Sequence, residues 1–76
     1  MPELEALAKN TKAKRIERKE TQLMFGLNCG LSEDEIYNIE HQRTDPKLST
    51  IQSIAAYTGL TVSELLTIKT ESGKKE

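Results

Sequence analysis

The densest group of chemistry-bearing side chains is the run Glu33-Asp34-Glu35. On a helix, successive residues point about 100° apart, so these carboxylates diverge and cannot converge on one substrate as an acid–base pair. Cys29 and His41 are each the sole residue of their kind. One thiol and one imidazole do not complete a four-ligand zinc site, and twelve residues do not place them as nucleophile and base. The glycines form no phosphate-cradling loop. No enzyme is read here, and no cofactor or metal is expected.

Charge is the more informative chemistry. The net charge of −1 argues against nucleic acid as a partner, since phosphate binding goes with a basic excess. Its distribution argues the other way. Between residues 9 and 19, Lys9, Lys12, Lys14, Arg15, Arg18 and Lys19 stand against Glu17 alone, a balance of +5. Between residues 32 and 40, Glu33, Asp34, Glu35 and Glu40 give −4. The basic stripe is either a phosphate-facing surface or a solvated helix face.

These groups must be positioned by a small scaffold. Seventy-six residues make one domain, burying about 60% of the surface of the unfolded chain. Hydrophobic residues at 36%, charged residues at 30% and three aromatics (Phe25, Tyr37, Tyr57) describe a soluble helical domain with an aliphatic core. A lone cysteine excludes an internal disulfide and suits a cytoplasmic, reducing setting. The start MPELEALAKN lacks a basic segment followed by an apolar one, and no apolar run nears the ~20 residues that cross a bilayer, so neither export nor membrane insertion is expected.

Spacings of three and four dominate, and strand-like alternation is absent, which predicts an all-α fold of five helices. The first covers about 3–19, opened by Pro2 with Glu3 and Glu5 at the positive end of the helix dipole. The second, 22–29, takes Thr21 as N-cap and ends at Gly30. The third, 32–41, begins with the capping-box spacing Ser32…Glu35, and His41 is read as a loop or C-cap residue. Pro46 holds the preceding stretch out of helix. The fourth covers 48–58 and stops at Gly59; the fifth, 62–69, follows the second capping-box spacing, Thr61…Glu64. Residues 1–69 form the domain and 70–76 a flexible polar tail.

Phe25, Cys29, Leu31, Ile36 and Ile39 around Gly26 and Gly30 supply what two short helices crossing through a tight turn require: inward apolar side chains, a small residue at the closest approach and a glycine in the turn. Together with Pro46, Leu48, Ile54-Ala55, Gly59-Leu60-Thr61 and Glu64-Leu65-Leu66, the chain resembles the repressor and Cro-like helix-turn-helix family, the lambda-repressor-like DNA-binding domain, over residues 15–66.

The resemblance implies a structural ion pair between Arg15 and Glu40. It also implies a DNA surface in which Gln22 touches phosphate, Ser32, Glu33, Asp34, Tyr37 and Asn38 face the major groove, and Arg43, Thr44 and Lys47 flank the backbone. Asn38 suits adenine, and Glu33 or Asp34 can accept from cytosine N4. Each carboxylate within ~6 Å of a phosphate nonetheless loses on the order of 0.7–3 kcal/mol. Tyr37 either meets DNA or is half-buried.

Thr11, Lys14 and Glu20 stand where the family is apolar, so the first helix is expected to pack loosely or in a shifted register. Leu23, Met24 and Leu27 stand where it is polar; they form either an exposed partner surface or a rearranged core. The function implied is a homodimeric regulator occupying an operator in double-stranded DNA, with Leu60, Val62, Leu65, Leu66 and Ile68 as either subunit contact or core. The alternative is a protein-interaction module whose acidic third helix binds a basic protein partner, anchored by Leu23, Met24 and Leu27.

Overall fold

Three hydroxyl side chains start three of the helices in the computed structural model, which describes residues 1–68. Thr21 Oγ1 accepts from the Met24 amide at 3.1 Å and opens α2 (Gln22–Cys29). Ser32 opens α3 (Glu33–Glu40) with a full capping box: its Oγ accepts from the Glu35 amide at 3.1 Å while its own amide donates to Glu35 Oε1 at 2.8 Å. Thr61 and Glu64 repeat the arrangement at α5 (Val62–Leu65). The remaining helices are α1 (Pro2–Glu17) and α4 (Leu48–Thr58). Among the described residues there are five helices and no strand.

Two turns depend on glycine. Gly30 (φ 79°) and Gly59 (φ 80°) end α2 and α4 in the left-handed region, which a side chain disfavours. Gly26 serves a different need. A Cβ there would lie 2.9 Å from the Leu31 carbonyl oxygen and 3.0 Å from that of Ser32, so its hydrogen lets α2 meet the start of α3.

The core gathers one side of every helix: Leu7 of α1, Phe25 and Cys29 of α2, Ile36 and Ile39 of α3, Ile51 and Ile54 of α4, and Leu65 of α5. Phe25 meets Tyr57 edge to face, ring centroids 5.5 Å apart. Leu31, Leu60, Val62 and Leu66 pack around the rim. The expected loose packing of the first helix is corrected: Ala6, Leu7, Ala8 and Thr11 are all buried, and the small residues give α1 its fit. Thr11 Oγ1 has no hydrogen-bond partner there.

Several boundaries move. α1 ends at Glu17, two residues before the expected stop, because Lys19 turns into the left-handed region (φ 58°) and its amide returns to the Ile16 carbonyl at 2.9 Å. Ser32 and His41 are the caps of α3 rather than its first and last turns. α5 stops at Leu65, and the reason lies outside it. Asn10 of α1 donates through Nδ2 to the carbonyls of Glu64, Leu65 and Thr67 at 3.1, 2.9 and 3.0 Å, capping the helix end. Residue 69 of the expected fifth helix and the expected tail, 70–76, lie outside the described residues.

Candidate nucleic-acid interface

α3 sends Ile36 and Ile39 into the core and Glu40 beneath α1. By helical geometry the opposite face carries Asp34, Tyr37, Asn38 and His41, with Glu33 beside it. Glu33, Asp34, Tyr37 and His41 are exposed and Asn38 is half-buried. Of the groups predicted to meet bases, Asp34, Tyr37 and Asn38 therefore share one outward ridge, with Glu33 beside it and Ser32 at its N-cap.

Two anchors hold that ridge. At its start is the Ser32–Glu35 capping box. At its end, Arg15 Nε donates to Glu40 Oε2 at 2.7 Å and Nη2 to Oε1 at 3.0 Å, a two-pronged pair in which the carboxylate side chain is only 2% exposed. Arg15 Nη1 also donates to the Glu20 carbonyl at 3.0 Å. The hydrogen bond to Glu40 raises the Arg15 pKa against the opposing effect of burial. The expected structural pair is present in this geometry.

Gln22 joins the same anchor, its Nε2 donating to Glu40 Oε1 at 3.1 Å. This leaves one N–H of the amide for a phosphate. Ser32 uses its hydroxyl oxygen as an acceptor for the cap and keeps its O–H. Asn38, Thr44 and Lys47 line one shallow pocket between α3 and the start of α4, together with Glu35, Asp45 and Thr50. Arg43 is exposed, and its amide closes on the Asn38 carbonyl at 2.8 Å, fixing the loop to the ridge.

The charge segregation seen in the sequence is largely engaged internally. Lys9 pairs with Glu5 and Lys14 with Glu17, each at 3.4 Å. Arg15 holds Glu40, and Arg18 lies 4.4 Å from the Tyr57 ring centroid while donating to the Tyr57 carbonyl at 3.0 Å. Of the six cations between residues 9 and 19, Lys12 and Lys19 lack such a partner among the described residues. On α3, Glu35 is in its cap and Glu40 in its anchor, leaving Glu33 and Asp34.

A polar cluster escaped the sequence reading. Glu20 Oε2 accepts from Tyr57 Oη at 2.6 Å and from Asn28 Nδ2 at 2.8 Å, tying the α1–α2 loop to α2 and α4. This acceptor, with burial, raises the Tyr57 pKa. The available signal was Glu20 itself, a carboxylate at a usually apolar place. A second omission, the stacking of Tyr37 on His41 at 4.0 Å, had its signal in the i,i+4 spacing of two rings. Burial, then the charge of Glu20, pushes the Cys29 thiol up to about 11, which keeps it protonated and unreactive at neutral pH.

Leu23, Met24 and Leu27 are 50%, 48% and 63% exposed, which decides for an outer apolar face over a rearranged core. Leu65, expected at a subunit surface, is fully buried; it belongs to the core cluster that also holds Leu7 and Ile54. Ile68 is exposed. No described helix is long and apolar enough to cross a membrane.

The fold and ridge define a repressor-like helix-turn-helix protein. The helix-turn-helix family model matches residues 12–65, and the chain belongs to that family. It is 38% identical over 55 residues to the immunity repressor protein of Bacillus phage phi105, a match covering 72% of this chain and 38% of that protein's length. It is also similar to the crystal structure of a hypothetical transcription factor, NHTF, from Neisseria, with a TM-score of 0.85, 27% identity and coverage of 97% of this chain and 85% of that one.

Proposed function

We propose that this protein is a DNA-binding transcriptional regulator that occupies an operator with α3 in the major groove. The observation that carries the reading is the outward ridge of α3, fixed at both ends and exposed at Asp34 and Glu33. The match to a phage repressor and to a transcription factor supports it. Gln22, Arg43, Thr44 and Lys47 flank the ridge as phosphate ligands, and Ser32 offers its hydroxyl at the helix start. Asn38 pairs with adenine; Glu33 and Asp34 accept from the exocyclic amines of cytosine or adenine, which selects amine-bearing edges. The protein acts in the cytoplasm as a homodimer on paired half-sites about one helical turn apart, with Ile68 near the subunit contact.

Selection from randomised duplexes at ~50 mM salt tests this. The expected result is a palindromic motif whose enrichment collapses on Asn38→Ala; a folded sample that enriches nothing refutes it. The exposed apolar face of α2 favours one second reading, a protein-interaction module in which the acidic ridge meets a basic partner beside Leu23, Met24 and Leu27. Glu33→Gln with Asp34→Asn separates the two: duplex affinity holds or rises if α3 lies in the groove, and a basic protein partner is lost if it does not.

A further inference from the structure

The proposed ridge ends in a device that neither the fold nor the ion-pair anchor requires. His41 caps α3, and its ring stacks on Tyr37, centroids 4.0 Å apart and planes 26° from parallel. Its Nδ1 lies 2.9 Å from the Tyr37 carbonyl oxygen. A carbonyl only accepts, so this contact requires the proton on Nδ1. In the neutral ring that assignment leaves Nε2, on the far edge, as a bare lone pair. A lone pair facing a phosphate oxygen repels it. The other neutral tautomer offers an N–H at Nε2 but sets two lone pairs against each other at Nδ1. Only the protonated ring donates at both ends.

We propose, resting on the major-groove reading, that His41 is a proton-gated phosphate ligand through which duplex affinity rises as pH falls. Tyr37 is its positioning residue: the ring plane and the carbonyl fix the imidazole before DNA arrives, so the contact needs no further ordering of the side chain. Glu40, one residue before His41, is held by Arg15 and Gln22. Arg43 and Asp45 follow two and four residues later, and Asp34 stands two turns earlier on the same side, with Glu33 beside it. Among the described residues no ion pair joins His41 to α1 or α2; its hydrogen bond and its ring contact are both with Tyr37. The proton adds a cation at the helix end where a backbone phosphate would approach, and the Nε2–H it supplies points away from the Tyr37 carbonyl.

A labelled random-sequence duplex suffices as probe, because a phosphate contact carries no sequence information. Binding is measured from pH 8 to pH 5.5 over a salt series. Affinity is expected to rise about tenfold per protomer toward acid pH, the weight of one charge-assisted hydrogen bond. The slope of log affinity against log salt should steepen by about 0.9 per protomer over the same range, as one more phosphate is neutralised. His41→Gln is expected to flatten both trends while leaving helicity unchanged, since the side chain is exposed. Glu33→Gln with Asp34→Asn should keep both, which excludes carboxylate protonation as their source. Tyr37→Leu, which frees the ring, should reduce them. A pH trend that survives in His41→Gln, or an affinity change without a change in salt slope, overturns the proposal. Absence of duplex binding at every pH by folded protein overturns the DNA reading itself and this ligand with it, whereas binding without any pH trend overturns the ligand alone.

Discussion

Removing Arg15 is expected to damage the protein more than neutralising the carboxylate it holds. The Glu40 side chain is 2% exposed and that of Arg15 15%. Arg15→Ala leaves a buried anion with Gln22 Nε2 as its remaining side-chain donor. Stranding one member of a buried pair costs about 3–5 kcal/mol, and the surviving amide places the loss near the lower end. A chain of this length has roughly 4–11 kcal/mol in all, so the variant is at best marginally folded. Glu40→Gln is milder. It leaves a neutral oxygen for Arg15 and Gln22, and Arg15 keeps the Glu20 carbonyl and reaches water, so the loss is about 1–2 kcal/mol. Replacing both, Arg15→Met with Glu40→Leu, leaves no stranded charge and is expected to be more stable than Arg15→Ala alone. Urea titration followed by far-ultraviolet circular dichroism measures all three. A loss under ~1 kcal/mol for Arg15→Ala, or a larger loss for Glu40→Gln, refutes the account of a buried anion in need of its cation.

Gly26→Ala should lower stability by about 1–2 kcal/mol: overpacking against the Leu31 and Ser32 carbonyls outweighs the ~1 kcal/mol that alanine gains over glycine in a helix. A raised thermal midpoint would contradict that contact. Thr11→Val removes a buried hydroxyl that has no partner and should raise the urea midpoint, by about 1 kcal/mol of stability. The Cys29 thiol, pushed up to about 11, stays protonated in the fold after the unfolded thiol has ionised, so stability should fall as pH rises from about 9 through 11. Cys29→Ala should reduce that alkaline decline without abolishing it, because the Tyr57 pKa is raised as well; an unchanged pH profile would count against the thiol's part.

What the sequence made legible is what is decided within one turn of chain. Thr21, Ser32 and Thr61 cap their helices because hydroxyl and amide lie three residues apart, and Gly30 and Gly59 end theirs because the next residue must turn left-handed. Gly26 was legible too, since two crossing helices admit only a small residue at their contact. The end of α5 was not. Leu66 and Ile68 continue the helical spacing, but the helix stops where Asn10, more than fifty residues earlier, takes its last carbonyls. Leu65 failed as a surface residue for a related reason: spacing groups it with Leu66 and Ile68 without saying which one enters the core.

The same distinction bears on function. Composition counts charges but does not pair them, and the basic stripe that could have offset the acidic third helix is mostly engaged with Glu5, Glu17, Glu40 and Tyr57. The balance at the ridge is therefore local: Glu33, Asp34 and Asp45 against Arg43 and Lys47. These three anions and two cations nearly cancel, so the exposed side of α3 offers no basic excess to a duplex. A helix-turn-helix protein with this ridge should discriminate between base edges more strongly than it binds DNA in general. High salt, which weakens phosphate contacts and leaves hydrogen bonds to bases, should therefore reduce its specific binding less than that of a basic relative.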